Sequence, residues 1–187
     1  NLVVVNEAEA LNRVIELLDQ QGVVNLVRGA MEFGPRAMCN TSTLAIPTMA
    51  NVHRINHANE RNTVMPMAPV MTSAMYHNLF ENPGRVWRSQ AHMIVAMEYR
   101  EHPISSMLGA AHEYHRPYHH HTGRPQVASD SDTFMQIVLK HVGQPLINTS
   151  FNYHGYPIAL GMESIIANHM MQHQKDKSFH TVVIQNA

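Results

Sequence analysis

Short β-branched, apolar segments alternate along this chain with stretches of helical periodicity, and that alternation narrows the possible folds more than any other feature. Residues 23–27, 144–147 and 181–184 are apolar runs too short for buried helices and bounded by turn formers, so they read as strands. Before the first of them, Leu11, Val14, Ile15 and Leu18 repeat at helical spacing behind a capping pair, Asn6 with Glu9, and stop at Gln21 and Gly22. Val52, Ile55 and Ala58 mark a short helix, with Pro66 and Pro69 closing the segment after it. A further helix is capped by Ser131, carries Phe134, Ile137 and Val138 on its apolar face and ends at Gly143; another runs over residues 162–171. Residues 92–99, around Ile94 and Val95, read as a strand, and residues 109–129, rich in His, Pro and Gly, as a long loop. Helices interleaved with short apolar strands predict an α/β domain built around a mixed sheet.

At 187 residues the chain suits one domain over residues 1–187, and no composition shift marks an internal boundary. Its first residue is Asn1 rather than Met, which is expected of processing, of preceding residues, or of a piece cut from a longer polypeptide or complex. Thirteen basic against fourteen acidic residues give a formal net charge of −1, so no bulk positive field draws in a nucleic acid. The fifteen histidines make the surface charge strongly pH-dependent below neutrality. A lone cysteine, Cys39, excludes an internal disulfide and fits a reducing compartment. No apolar run approaches the ~20 residues of a membrane span and no signal peptide opens the chain, so the expected setting is soluble and cytoplasmic, with self-association left open.

Two clusters of chemistry stand out. Asn148, Thr149, Ser150, Phe151 and Asn152, followed by Gly155 and Pro157, place small hydroxyl and amide side chains at the end of the apolar run 144–147, where α/β folds bind ligands. Far upstream, Gly34 and Pro35 fix a turn beside Arg36, whose planar fork of donors grips oxyanions. Each residue also has a plainer reading. Asn148 and Asn152 are equally suited to pinning their own turn, Glu32 to anchoring the segment that carries Arg36, and a single arginine to a solvated ion pair.

Taken in order, these clusters resemble the C-terminal domain of O-carbamoyltransferases, the family of nodulation-factor and antibiotic-tailoring enzymes. Where the family reads EFGPRALGNRSILA, residues 32–45 read EFGPRAMCNTSTLA; where it reads NTSFN, two free positions and GEPI, residues 148–158 read NTSFNYHGYPI. A middle segment like KxRExxRPFAP is answered by NERNTVMPMAP at 59–69, and one like DGTARxQ by TGRPQ at 122–126. The resemblance implies a YrdC/Sua5-like twisted mixed sheet with flanking helices. It also implies a domain that makes carbamoyl adenylate from carbamoyl phosphate and ATP, with Mg accompanying the nucleotide, for a separate N-terminal domain, in cis or trans, to transfer to a substrate hydroxyl. Carried over, Arg36 and Ser150 are the catalytic positions, and Arg61, Arg124, Asn148, Thr149, Asn152 and Glu32 bind substrate or nucleotide.

Three family cations are replaced: Thr41 and Met65 stand for arginines and Asn59 for the lysine of the middle segment. Each charge-assisted contact is worth ~1.5–3 kcal/mol, so the alternative is a non-catalytic nucleotide-binding or interaction module of the same fold, unless Arg28, Arg54 or protonated histidines substitute. His112 and His115 could share a helical face with Glu113 nearby, but with His119, His120 and His121 they read better as solvated loop residues than as a metal site. The fourteen methionines read as adaptable core filler.

Overall fold

A computed structural model describes residues 1–61, 67–83, 88–103, 105–113 and 121–185. The main sheet has seven strands in the order β1-β10-β2-β3-β9-β4-β8. These are β1 (Leu2–Val5), β2 (Val23–Val27), β3 (Thr41–Ala45), β4 (Ala68–Met71), β8 (Gln126–Val127), β9 (Leu146–Ser150) and β10 (Phe179–Ile184). Strands β1, β10 and β2 run parallel, β2-β3-β9-β4 are antiparallel, and β4 and β8 are parallel. A second sheet, β5-β7-β6, is built from β5 (Met97–Glu98), β6 (His112–Glu113) and β7 (His121–Gly123).

The period of two in the strands decides what each face meets. Val24 and Leu26 of β2, Leu44 of β3 and Leu146 of β9 join α1 (Glu7–Asp19) and α5 (Thr133–Val142) in one core. On the opposite face Val23, Ala45 and Ile147 pack against α2 (Met49–Ala58), while Phe151 and Val183 meet Ile165 of α6 (Gly161–Lys175). Covering both faces explains why the central strands read as continuous apolar runs. A further cluster, Met71, Tyr76, Phe80, Tyr99 and Met107, ties α3 (Ser73–Leu79) to the small sheet.

The α6-facing side of the sheet carries a buried polar network. Asn25 donates to Gln172 (2.7 Å) and Thr181 (3.1 Å) and accepts from Thr43 (2.6 Å). Gln172 in turn donates to Asn59 (2.8 Å), and His169 Nδ1 meets the Thr181 hydroxyl at 2.9 Å. These buried hydrogen bonds stabilise one register of α6 on the sheet, although Asn59 Nδ2 has no partner among the described residues.

Several expectations hold in detail. Asn6 caps α1 by accepting from Glu9 N at 2.9 Å, and Gly143 ends α5 in the left-handed region. Others are corrected. Asp132, not Ser131, caps α5, accepting from Met135 N; Ser131 instead meets Ser129. Ile137 is 47 % exposed, and Met135 and Leu139 complete the buried face with Phe134 and Val138. Residues 92–99 hold only the two-residue β5, which follows the small α4 (Arg88–Ala91), and Ile94 is exposed. The stretch 109–129 is not one loop: a 3-10 turn (Leu108–Ala110), β6, β7 and β8 are cut from it. Its His112 and Glu113 lie in β6, so consecutive side chains point to opposite faces rather than along one helical face. His115, His119 and His120 lie outside the described residues.

Candidate active site

β9 is the central support of the site. It runs on through Asn148, Thr149 and Ser150, so these three residues belong to a strand rather than to the turn expected of them. β3 pairs with it as far as Ser42 opposite Ser150, whereas β4 pairs only up to Ala68 opposite Asn148. Beyond Asn148 the β4 side of β9 therefore opens into a cavity of about 230 Å³. Pro35, Arg36 and Ala37 come to it from the segment before β3, Arg61 from the residues after α2, and Arg124 from the turn after β7, joined by Asn148, Thr149, Ser150 and His154. Arg36 and Ser150, separated by more than a hundred positions, thus face one cavity.

Its electrostatics are one-sided. Arg36, Arg61 and Arg124 line it with no carboxylate among the described lining residues. Arg61 reaches Thr149 Oγ1 (3.3 Å) and Met67 Sδ (3.7 Å), and burial lowers its pKa. Burial also lowers that of Arg124, with the charge of Arg36 adding to it. Guanidinium groups stay protonated under such pressure, so the cavity holds concentrated positive charge that an oxyanion would neutralise.

The neighbouring residues hold this arrangement in place. Glu32 lines an adjoining cavity, but its carboxylate is committed to the backbone, accepting from Met38 N (2.6 Å), Asn40 N (2.8 Å) and Thr41 N (3.1 Å). It clamps the segment that presents Arg36. Asn152 accepts the Ser150 hydroxyl proton (2.5 Å) and donates to Tyr156 O (2.6 Å), so it fixes both its own turn and the Ser150 rotamer. Asn148 donates to Ala37 O (2.9 Å) and to Gln126 Oε1, bridging both upstream segments to β9. Cys39 sits beneath them with φ +74°, its thiol wholly buried and pushed up to about 12 by that burial. It is a small core residue, as its sequence context suggested.

The replaced cations are accounted for individually. Thr41 is buried in β3. Asn59 is fully buried and held by Gln172, turned into the polar network and absent from the cavity lining. Met65 lies outside the described residues. Arg28 and Arg54 do not substitute: Arg28 is bidentate to Asp132 and bonds Cys39 O, and Arg54 pairs with Asp176 at 3.0 Å. Among the described residues no group of His, Cys, Asp and Glu could hold a metal ion, and no helix is long and apolar enough to cross a membrane.

Sequence reading missed His154, which occupies one of the free positions after the NTSFN run, and the role of Gln126, the last residue of the TGRPQ segment. Nothing in a single chain marks a histidine in a loop as cavity-lining when fifteen are scattered through it.

Residues 15–186 match the family described as Carbamoyltransferase C-terminus. The chain belongs to that family. It is 34% identical over 156 residues to an uncharacterized protein of Methanocaldococcus jannaschii, covering 80% of this chain and 28% of that protein. It is 31% identical over 158 residues to the nodulation protein NolNO of Sinorhizobium fredii (80% and 22%), and 41% identical over 66 residues to the 3'-hydroxymethylcephem-O-carbamoyltransferase of Amycolatopsis lactamdurans (33% and 13%). The chain thus spans about a quarter, or less, of these relatives' lengths. Among solved structures, Sua5 of P. abyssi complexed with L-threonine superposes with TM-score 0.62 at 10% identity, covering 100% of this chain and 50% of that one. Full-length HypF in the phosphate- and nucleotide-bound form gives 0.60 at 12%, covering 95% and 25%. The fold is YrdC-like, as the sequence resemblance implied, and membership in the family supports a carbamoyl-related transferase function at a coarse level.

Proposed function

We propose that this domain activates a carbamoyl group, making carbamoyl adenylate from carbamoyl phosphate and ATP for transfer elsewhere to a hydroxyl. The observation that carries this reading is the convergence of Arg36, Arg61 and Arg124 with Asn148, Thr149 and Ser150 on one cavity free of carboxylates among its described lining residues. Water releases carbamate and inorganic phosphate from carbamoyl phosphate. A carbamate oxygen then attacks the α-phosphorus of ATP, the bond to the α,β-bridging oxygen breaks, and pyrophosphate carries away the electron pair. Charge builds on phosphate oxygens at each stage, and fixed guanidinium groups are suited to stabilise it without reorganisation. Ser150, its proton held by Asn152, serves in positioning and not as a nucleophile. Among its described lining residues the cavity presents no carboxylate to hold Mg²⁺, which would travel on the nucleotide's own phosphates.

About 230 Å³ is less than the ~300–1,000 Å³ of a typical small-molecule site and is too small for a whole nucleotide. A second cavity of about 310 Å³ adjoins it, sharing Met67, Ala68 and Arg124 and adding Ala96, Ala110 and His112, and would be the place for the nucleoside. At the other end, past Pro35 and Ser150, Phe33, Tyr156 and Leu160 are exposed. The rest of the relatives' length would supply a transferring domain to cover them and keep water from the adenylate.

Isothermal titration with ATP and carbamoyl phosphate, followed by a pyrophosphate-release assay, tests the reading. Binding of both with pyrophosphate release, and without carbamoylated product from a panel of alcohols, is expected. Failure to bind either ligand would favour a non-catalytic module, for which the loss of the family lysine at Asn59 is the motivating observation.

A further inference from the structure

Among the described residues that line the cavity, His154 alone is of the type whose charge ordinarily changes near neutrality. It occupies a position that the family motif leaves free. The residue is exposed, so its ring is open to an ion that enters the cavity, and its imidazole makes no hydrogen bond or ion pair among the described residues. The backbone that carries it, in contrast, is held on both sides. His154 N donates to Asn59 O at 3.2 Å, and Tyr153 N donates to Asn168 Oδ1 of α6 at 2.6 Å. Lys175, also on α6, donates to the Tyr153 hydroxyl at 2.9 Å, and Asn152 closes the turn by donating to Tyr156 O at 2.6 Å. An unengaged ring on a fastened turn has a fixed place beside the anion site. The contact with Asn59 also says which place that is. Asn59 stands where the resembling family carries a lysine, and its own side chain is turned away into the buried network. The turn therefore sets an ionisable side chain next to the position where that cation is missing.

The charged groups around His154 are Arg36 from the segment before β3, Arg61 from the residues after α2 and Arg124 from the turn after β7, with Glu60 and Lys175 paired to one another nearby. No carboxylate is among the described lining residues, so the counter-charge for an imidazolium here is the ligand itself. We infer that His154 is a further anion-binding residue of this site, which takes up a proton from solvent as a phosphate-type oxyanion enters and holds that oxyanion as imidazolium. This rests on the functional reading above and adds to it a residue that the resemblance does not place. It also adds a consequence that the three arginines alone do not have. Guanidinium groups keep their charge at every pH in the working range, whereas a neutral imidazole offers one uncharged donor, so the site binds oxyanions more tightly on the acid side of neutrality.

Calorimetric titration with sulfate tests this, because sulfate keeps one charge across the range in which phosphate itself titrates. At constant ionic strength the wild-type chain should bind sulfate about tenfold more tightly at pH 6 than at pH 8, the equivalent of one charge-assisted contact. Titrations at pH 7 in two buffers of different ionisation enthalpy should show net proton uptake on binding. In His154→Gln the ratio between the two pH values should fall to about twofold or less and the uptake should disappear. In His154→Lys, which carries its charge throughout, sulfate should bind at pH 8 about as tightly as it binds the wild type at pH 6. The other histidines change the overall charge alike in all three proteins, so the differences between the proteins belong to position 154. The residue is exposed, and neither substitution disturbs the core. A pH ratio as large in His154→Gln as in wild type, binding without proton uptake, or a lysine that leaves affinity at pH 8 unchanged overturns the inference and leaves the anion site standing. Failure of both sulfate and inorganic phosphate to bind the wild type at either pH overturns it together with the functional reading beneath it.

Discussion

Arg28 and Arg54 differ from Arg36, Arg61 and Arg124 in what faces them, and the contrast separates structural from functional charge in this fold. Arg28 meets Asp132 through both guanidinium arms and lies 5.3 Å over the Phe134 ring, and Arg54 meets Asp176, Gln21 O and Asn51. Asp132 also caps α5 and Asp176 bonds Ser178, so each pair closes a local circuit of donors and acceptors. The cavity arginines form no ion pair among the described residues. Three arginines at one cavity, without an ion pair among the described residues, are what the proposed anion site calls for.

The largest effect expected from breaking that comparison is on the structural side. Arg28→Ala leaves Asp132 half-buried and unpaired beneath its own helix cap, which should cost about 3 kcal/mol and lower the melting temperature by roughly 10 °C. Phosphate affinity of the folded protein should stay near wild type. A melting temperature unchanged by the substitution would remove Arg28 from the structural class.

The cavity arginines should give the opposite pattern. Arg36→Ala and Arg124→Ala are each expected to weaken phosphate or carbamoyl phosphate binding by about 10- to 100-fold, the equivalent of one charge-assisted contact. Melting temperature in the absence of ligand should hold or rise, since Arg36 and Arg124 lie close enough for their charges to oppose one another. Titration calorimetry alongside thermal melts reads both quantities, and a variant that loses stability without losing affinity would belong with Arg28 instead.

The order of these residues in the chain shows what could be read beforehand. Arg36, Ser150 and the segments around Arg61 and Arg124 were legible because each lies in a motif of several residues, and the fold gathers all four motifs. The apolar strands β2 and β10 and the capped helix α1 were legible because each satisfies a local period. What escaped was decided by distant pairing. β5, β7 and β8 hold two or three residues each and exist only because a partner strand lies beside them, so no periodicity announces them. Ile94 and Ile137 are apolar yet exposed, which hydropathy alone could not reveal. The burial of Asn59 against Gln172, 113 positions away, likewise has no local signature.

A smaller effect tests the polar network under α6. Burial, with the amino group of Asn1 and then His173 and His180 adding to it, lowers the His169 pKa to about 4, below its ordinary 6.5. The neutral ring bonded to Thr181 is therefore the folded form, and its contribution is complete above pH 6.5 and lost as pH falls toward 4. Stability should drop over that window by on the order of 2 kcal/mol, and His169→Gln, which keeps a hydrogen-bonding end without a titrating ring, should flatten the dependence. Melting curves from pH 7 to pH 4.5 check it; parallel profiles for the two proteins would assign the acid sensitivity to other groups.

The smallest effect concerns Cys39, which adopts φ +74° where the resembling family carries glycine. A non-glycine residue in the left-handed region costs ~1–2 kcal/mol, so Cys39→Gly relieves strain in the turn that leads from Arg36 into β3. It also removes a fully buried side chain and enlarges the conformational freedom of the unfolded chain, each a loss of similar size. The terms nearly cancel, and the variant is expected within about 1 kcal/mol of wild type. Cys39→Val separates them, because a β-branched residue keeps the burial but fits the left-handed region worst, and it should destabilise by at least ~2 kcal/mol. Chemical denaturation of the three proteins reads this directly. If valine were tolerated as well as glycine, the backbone of this turn would not be constrained, and the Glu32 clamp on the backbone of Met38, Asn40 and Thr41 would not be what fixes the direction of Arg36.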